Sequence, residues 1–140
     1  MAKNLALVVV VLALTVTAYF GLRQYRITTN TPERVMQAFV TDLVDGKTGK
    51  TYEHLSSDMR AAVSPAQWQG QVGLFRKSSP EPKLITQESV RDTFNTYPVD
   101  SDPQRFVYSF SIDGRDYLAT VILYKHNGTW LVDEFQGEYK

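Results

Sequence analysis

The stretch QRFVYSFSIDGRDYLATVILYKHNGTWLVDEF, residues 104–135, decides the fold that this sequence predicts. It consists of three runs rich in aromatic and β-branched residues, separated by the dipeptides Asp113-Gly114 and Asn127-Gly128. Both dipeptides are typical of two-residue type I′ turns, because the two central residues of such a turn take positive φ. The stretch therefore predicts three antiparallel strands, Gln104 to Ile112, Arg115 to Lys125, and Thr129 to Phe135.

The two turns also predict the register of these strands. Counting outward from the first turn gives the pairs Phe110 with Tyr117, Tyr108 with Ala119, and Phe106 with Val121. Counting from the second turn places Trp130 beside Lys125 and Val132 beside Leu123. One face of the sheet is then continuously apolar and forms the core.

The opposite face of these strands, called here the outer sheet face, is only half polar. Its polar members are Ser109, Ser111, Asp116 and Thr120, and its apolar members are Leu118, Ile122, Tyr124, Leu131 and Phe135. A solvent-facing sheet needs fewer apolar residues than this. The pattern predicts contact with a protein partner or with a second copy of the chain.

The segment before these strands is predicted to form helices. Pro32 and Glu33 suit a helix start, apolar residues then recur at helical spacing from Val35 to Leu43, and Asp45-Gly46 marks the end. A second short helix is expected around Tyr52 and Leu55, and a third region from Met59 to Val63. Ser64-Pro65-Ala66-Gln67 is a capping-box start for a further helix that carries Trp68, Val72 and Phe75. A loop from Lys77 to Pro82 and a first strand, Lys83 to Thr93, complete the domain.

This order of elements resembles a known superfamily. The entry Thr31-Pro32-Glu33-Arg34-Val35-Met36-Gln37-Ala38-Phe39 and the exit Asn127-Gly128-Thr129-Trp130-Leu131-Val132-Asp133-Glu134-Phe135 are similar to those of nuclear-transport-factor-2-like (NTF2-like) proteins, in particular their small bacterial membrane-anchored or exported members. The resemblance implies an α+β cone with about three helices packed on a curved four-stranded antiparallel sheet. Because the superfamily includes isomerases, dehydratases, ligand carriers and assembly modules, it implies no particular activity.

Residues 5–22 read LALVVVVLALTVTAYFGL and contain no charge, with Lys3 before them and Arg23 and Arg26 after them. This length suffices for a transmembrane helix, and the sequence thus divides into a head (1–4), a membrane anchor (5–22), a tether (23–30) and an α+β domain (31–140). The alternative is a signal peptide cleaved after Ala18, which would release a soluble domain. The short head favours an extracytoplasmic domain, although the arginines after the helix argue for the opposite orientation.

Composition excludes several classes of partner and site. Beyond Arg26, the sequence has 12 Lys and Arg against 15 Asp and Glu, so it lacks the basic footprint of a nucleic-acid-binding domain. The absence of cysteine excludes disulfides, thiolate metal sites and cysteine nucleophiles. The segment Gly46 to Thr51 lacks the spacing of a phosphate loop, and His54 and His126 are too far apart to indicate a metal site. No cofactor is expected.

The aromatic residues and one carboxylate predict a pocket. The residues expected to line it are Phe39, Tyr52, Trp68, Tyr108, Phe110, Tyr117, Trp130 and Glu134. The predicted register places Glu134 opposite Val121 on the apolar face, with Tyr108 on the same surface. A carboxylate in such an environment would have a raised pKa and could transfer protons, unless Glu134 is solvated at the open end of the sheet or a bulge turns it outward.

The sequence as a whole favours a membrane-tethered, non-enzymatic interaction or assembly module. The anchor, the short tether and the half-apolar outer sheet face support this interpretation. A binder of a small apolar ligand, or less readily an enzyme acting on one, is the alternative that the aromatic residues support.

Overall fold

The computed structural model describes residues 13–19, 31–79, 81–90 and 102–140. The chain divides into two compact units, Met1–Thr31 and Pro32–Lys140. In the first unit, residues 13–19 are helical and exposed. Most of the predicted membrane anchor and the whole tether lie outside the described residues. None of the helices among the described residues has both the length and the apolarity needed to cross a bilayer.

The second unit is an α+β domain. Its helices are α1 (Pro32–Val44), α2 (Thr48–Glu53), α3 (Ser57–Ala62), α4 (Pro65–Val72) and a 3₁₀ helix, η1 (Gly73–Lys77). Its strands are β1 (Lys83–Ser89), β2 (Gln104–Ile112), β3 (Arg115–His126) and β4 (Thr129–Tyr139). The strands form one antiparallel sheet in the order β1-β2-β3-β4. The predicted α+β class and four strands are confirmed, while the helical half has more and shorter helices than the expected three.

The helix boundaries follow local signals in the sequence. Gly46, with a φ of +71°, allows the chain to turn after α1. The capping box at α4 is complete: the Gln67 amide donates to the Ser64 hydroxyl at 3.2 Å, and the Ser64 amide donates to the Gln67 side chain at 2.9 Å. Leu55, expected on the second helix, lies beyond it and forms a bridge with Val132 of β4.

The register predicted from the turns is confirmed for β2 and β3. Asp113, Gly114, Asn127 and Gly128 all have positive φ, as type I′ turns require. The pairs of Phe110 with Tyr117, Tyr108 with Ala119, and Phe106 with Val121 are present. On β4, Trp130 pairs with Lys125 and Val132 with Leu123, also as predicted.

The predicted register is wrong beyond Val132. The pairing shifts between Ile122 and Leu123, so that Glu134 pairs with Ile122 and Phe135 pairs with Val121. A regular ladder would have placed Glu134 on the core face and Phe135 outside. The bulge reverses this, because burying a phenylalanine is favourable and burying an unpaired carboxylate is costly.

The core lies between the helices and one face of the sheet. Its largest fully buried side chains include Trp68, Phe39, Phe75, Phe106 and Phe110. Phe135 joins them through ring contacts with Phe39, Trp68 and Phe75. Trp68 is held in place by a buried hydrogen bond from its indole nitrogen to the Thr51 hydroxyl, at 2.9 Å.

The outer sheet face is less exposed than its pattern suggested. Ile122 and Tyr124 are buried, Leu118 and Leu131 are partly buried, and Phe135 belongs to the core side. The large apolar side chains of the sheet that remain exposed are Leu84 and Ile85 on β1 and Tyr139 at the end of β4. Among the described residues, exposed apolar surface of the sheet is therefore concentrated at its two edge strands.

Candidate functional site

The aromatic residues expected to line a pocket mostly fill the core. Phe39, Trp68 and Phe110 are at most 1% exposed, and Trp130 is 7% exposed. Tyr52 and Tyr117 are half-buried and pack against the core. Glu134 is exposed because of the bulge in β4. Of the eight residues, Tyr108 is the one that lines a cavity of the described domain between its first helix and its first strand.

This cavity, called here the α1–β1 groove, has a volume of about 620 Å³. Its helix wall consists of Glu33, Gln37, Val40, Thr41, Val44 and Asp45. Its floor and opposite wall consist of Ser78, Ser79, Glu81, Pro82, Leu84 and Tyr108. Leu84 and Tyr108 are cross-strand partners in β1 and β2, so their side chains share one face of the sheet.

The groove exists because α1 leaves the β1 margin of the sheet uncovered. The side of α1 that carries Met36, Phe39 and Leu43 is buried in the core. The neighbouring side, with Glu33, Gln37, Thr41 and Asp45 at intervals of four residues, faces the groove instead. The sequence shows this four-residue spacing. It does not show that these residues form one wall of a groove, because that depends on where the sheet ends.

A hydrogen bond joins α1 to β1 at the Glu33 end of the groove. The Gln87 side-chain amide donates to Glu33 Oε1 at 2.6 Å. Val44 and Asp45, at the other end of α1, share the groove with the loop that precedes β1. The helix and the strand therefore run in opposite directions along the groove.

The groove is acidic. Three of its twelve lining residues, Glu33, Asp45 and Glu81, carry carboxylates, and none carries a basic side chain. The Lys47 ammonium lies 3.5 Å from the Asp45 carboxylate, but both side chains are about half exposed, so solvent screens this pair. The lining residues thus include three acidic side chains and no basic one, together with the apolar side chains of Val40, Val44 and Leu84.

Two hydroxyl groups add hydrogen-bonding capacity to the groove. Burial raises the pKa of Tyr108 above its ordinary value of 10.0, so its hydroxyl remains protonated and can donate at neutral pH. The Ser78 hydroxyl oxygen is buried and has no hydrogen-bond partner among the described residues. A bound molecule could therefore satisfy polar groups as well as cover apolar surface.

The two histidines lie away from the groove. His54 packs edge-on against Phe39, and its Nε2 lies 3.8 Å from the Asp42 carboxylate. Burial lowers the pKa of His54 below 6.5, and the charges of Asp42 and Glu53 oppose this effect. His126 lies beside the second hairpin turn. In residues 13–19, 31–79, 81–90 and 102–140, no cluster of three or more histidine, aspartate or glutamate side chains could hold a metal ion.

Comparisons with known proteins find similarity at the level of structure alone. No protein-family model matches the sequence, and no curated protein is significantly similar to it. A SEC-C motif containing protein from Rhodopseudomonas palustris superimposes with a TM-score of 0.54 and 13% identity, covering 77% of this chain and 79% of that one.

A second solved structure is an NTF2-like protein of unknown function from Cytophaga hutchinsonii. It has a TM-score of 0.42 and 9% identity, and the match covers 79% of this chain and 90% of that one. At these identities the likeness concerns the fold and carries no activity.

Proposed function

We propose that this chain is a membrane-tethered, non-enzymatic interaction module whose folded domain binds a partner in the α1–β1 groove. The observation that carries this proposal is the groove itself, about 620 Å³ in volume, which combines acidic with apolar side chains. The core beside it is filled by aromatic side chains, so within the described part of the domain the groove, and not the core, has room for a ligand.

The chemistry of the lining favours binding over catalysis. Serine hydroxyls become nucleophiles when a neighbouring base, commonly histidine or lysine, takes their proton. Ser78 and Ser79 line the groove without either residue type among their fellow lining residues. Tyr108 is held in its protonated form, which suits a hydrogen-bond donor. Carboxylates, hydroxyls and apolar side chains in this arrangement hold a ligand in place.

The membrane tether is part of the proposal and is supported by the sequence. Residues 5–22 contain no charge and are mostly apolar, and the eight residues from 23 to 30 leave little slack between this segment and the domain. The outer sheet face is a weaker candidate interface, since Ile122 and Tyr124 on it are already buried.

Site-specific photocrosslinking tests the proposed function. The full-length chain, expressed in its own membranes, carries a photoreactive phenylalanine analogue in place of Leu84, whose side chain lines the groove and is 48% exposed. The matched control places the same analogue at Gln71, an exposed position on α4. We expect a discrete crosslinked species from position 84 and none from position 71. Identical patterns from both positions would count against the groove as the binding site.

A second candidate function is the binding of a small amphipathic molecule. The volume of the groove lies within the range of small-molecule sites, which supports this alternative. Native mass spectrometry of the full-length protein, released from nanodiscs, distinguishes the two candidates. A bound species of a few hundred daltons that is lost in Leu84→Glu would favour the small molecule over a protein partner.

A further inference from the structure

The edge strand β1 is unusually open. Within the described sheet, β1 pairs on one side with β2 and has no strand on its other side. All seven of its residues are exposed, including Leu84 at 48% and Ile85 at 55%. An open edge presents unpaired backbone amide and carbonyl groups, which can pair with an added strand.

β1 carries some of the features by which proteins protect an edge strand, but not at the groove. Lys83 stands at its start, and the pairing with β2 shifts between Leu84 and Thr86, which leaves Ile85 as the irregular residue. By strand alternation Lys83 faces away from the groove, on the side opposite to Leu84. The groove side of the edge therefore combines open backbone with exposed apolar surface.

The length of the groove matches a short extended segment. The helix wall runs from Glu33 to Asp45, a distance of about 18 Å at the rise of an α-helix. An extended chain covers the same distance with roughly five or six residues. β1 itself has seven residues, so a strand of similar length could pair along its whole edge.

The charge of the groove selects among possible strands. Glu33, Asp45 and Glu81 are lining residues, and no lining residue is basic, so a segment with lysine or arginine side chains on one face would be complementary. A second copy of this chain is a poorer occupant, because its own three carboxylates would be brought beside the first set. Like charges placed together across an interface disfavour such a pairing.

We propose that the occupant of the α1–β1 groove is a basic, extended segment of a partner protein, which adds to β1 as a fifth strand. Its backbone pairs with the open edge of β1, its cationic side chains face Glu81 and Asp45 on the groove side, and the aliphatic stems of these side chains pack beside Leu84. This inference rests on the proposed function and specifies the chemistry of its partner.

Peptide binding tests the inference. The probe is a fluorescein-labelled heptapeptide amide of alternating lysine and valine, and the protein is the full-length chain in nanodiscs of zwitterionic phosphatidylcholine, to which a basic peptide has little affinity of its own. We expect saturable binding by fluorescence anisotropy that weakens as salt is added. The same peptide with glutamate for lysine should bind at least tenfold more weakly.

Two further comparisons separate strand addition from simple charge attraction. A peptide N-methylated at every residue keeps its charge but cannot donate backbone hydrogen bonds, and we expect at least a tenfold loss of affinity. Glu81→Lys should weaken binding at least tenfold, whereas the matched control Glu138→Lys, an exposed charge reversal on β4, should change it less than twofold. Equal binding of the N-methylated peptide, or equal effects of the two variants, would overturn the inference.

The outcome also distinguishes this inference from the proposed function. Crosslinks from position 84 without binding of the basic peptide would leave the groove as an interaction site and reject its occupant as a basic strand. A dimer in native mass spectrometry that dissociates on Leu84→Glu would reject it in favour of a second copy.

Discussion

The environment of His54 shifts the pKa of a side chain that titrates near physiological pH. Burial disfavours its charged form and lowers its pKa below 6.5, while the Asp42 and Glu53 charges raise it. We expect an NMR titration of the His54 imidazole to give a pKa below 6.5. In Asp42→Asn the pKa should fall further, because the largest of the opposing charges is removed. A His54 pKa at or above 6.5 in the unaltered protein would contradict this reading.

The same shift makes stability depend on pH in a definite direction. In the unfolded chain the imidazole binds a proton near pH 6.5, whereas in the folded domain it does so at lower pH. The unfolded state therefore binds more protons between these two values, and the free energy of unfolding falls as the pH drops through that window. Urea denaturation between pH 7.5 and 5.5 should show a shallower decline for His54→Gln than for the unaltered chain.

The hydrogen bond from Trp68 to Thr51 joins α2 to α4 inside the core, where Thr51 is fully buried and Trp68 is 1% exposed. Replacing Thr51 by valine keeps the shape and removes the acceptor, so the indole N–H is left unpaired. We expect a loss of about 1–3 kcal/mol in the free energy of unfolding, measured by urea denaturation. In a Trp68→Phe background no donor is left unpaired, and the same replacement should cost about 1 kcal/mol less. Strict additivity of the two changes would show that the bond contributes no specific stability.

At the level of elements, the bulge in β4 decides which side chain enters the core. Phe135 contacts the rings of Phe39, Trp68 and Phe75, while Glu134 is exposed. We expect Phe135→Ala to lower the free energy of unfolding by about 3 kcal/mol and Glu134→Ala to change it by less than about 0.5 kcal/mol. Urea denaturation measures both. The reverse order of effects would indicate the regular ladder instead of the bulge.

The bulge in β4 is a feature that the sequence pattern does not predict. The turns at Asp113-Gly114 and Asn127-Gly128 require positive φ, so local chemistry was enough to predict the register next to them. The shift near Asp133 depends on competition between Glu134 and Phe135 for a place in the core, which involves helices distant in sequence. Counting along a strand cannot detect an extra residue whose benefit comes from such packing.

The candidate site shows the same division between local and distant information. The sequence predicted the buried side of α1 from its apolar spacing, and α1 is confirmed with its core residues Met36, Phe39 and Leu43. The sequence does not predict a function for the acidic side of the same helix. This side forms a wall of the groove only because the margin of the sheet at Leu84 and Tyr108 is uncovered. The sequence predicts Tyr108 as a lining residue of a pocket on the apolar face of the sheet. Aromatic side chains fill that space, and Tyr108 lines the α1–β1 groove instead.

At the scale of the whole molecule, the proposed membrane tether depends on the uncharged run of residues 5–22. A continuous helix through this run is long enough to span a bilayer, and each arginine placed at its centre costs about 2.5–3.5 kcal/mol of insertion free energy. We expect the full-length chain to stay with the membrane pellet after an alkaline carbonate wash. The double variant Val10→Arg with Leu12→Arg should move to the supernatant.

The mass of the membrane-bound chain completes this prediction. An anchored protein keeps its N-terminal segment, so intact-mass analysis should find a chain that begins at Met1 or Ala2. A chain beginning after Ala18 would instead identify the segment as a cleaved signal peptide.

A control with two conservative changes, Val10→Leu and Leu12→Val, preserves the apolar run and should remain in the pellet. Its release together with the arginine variant would mean that these positions act through something other than insertion into lipid.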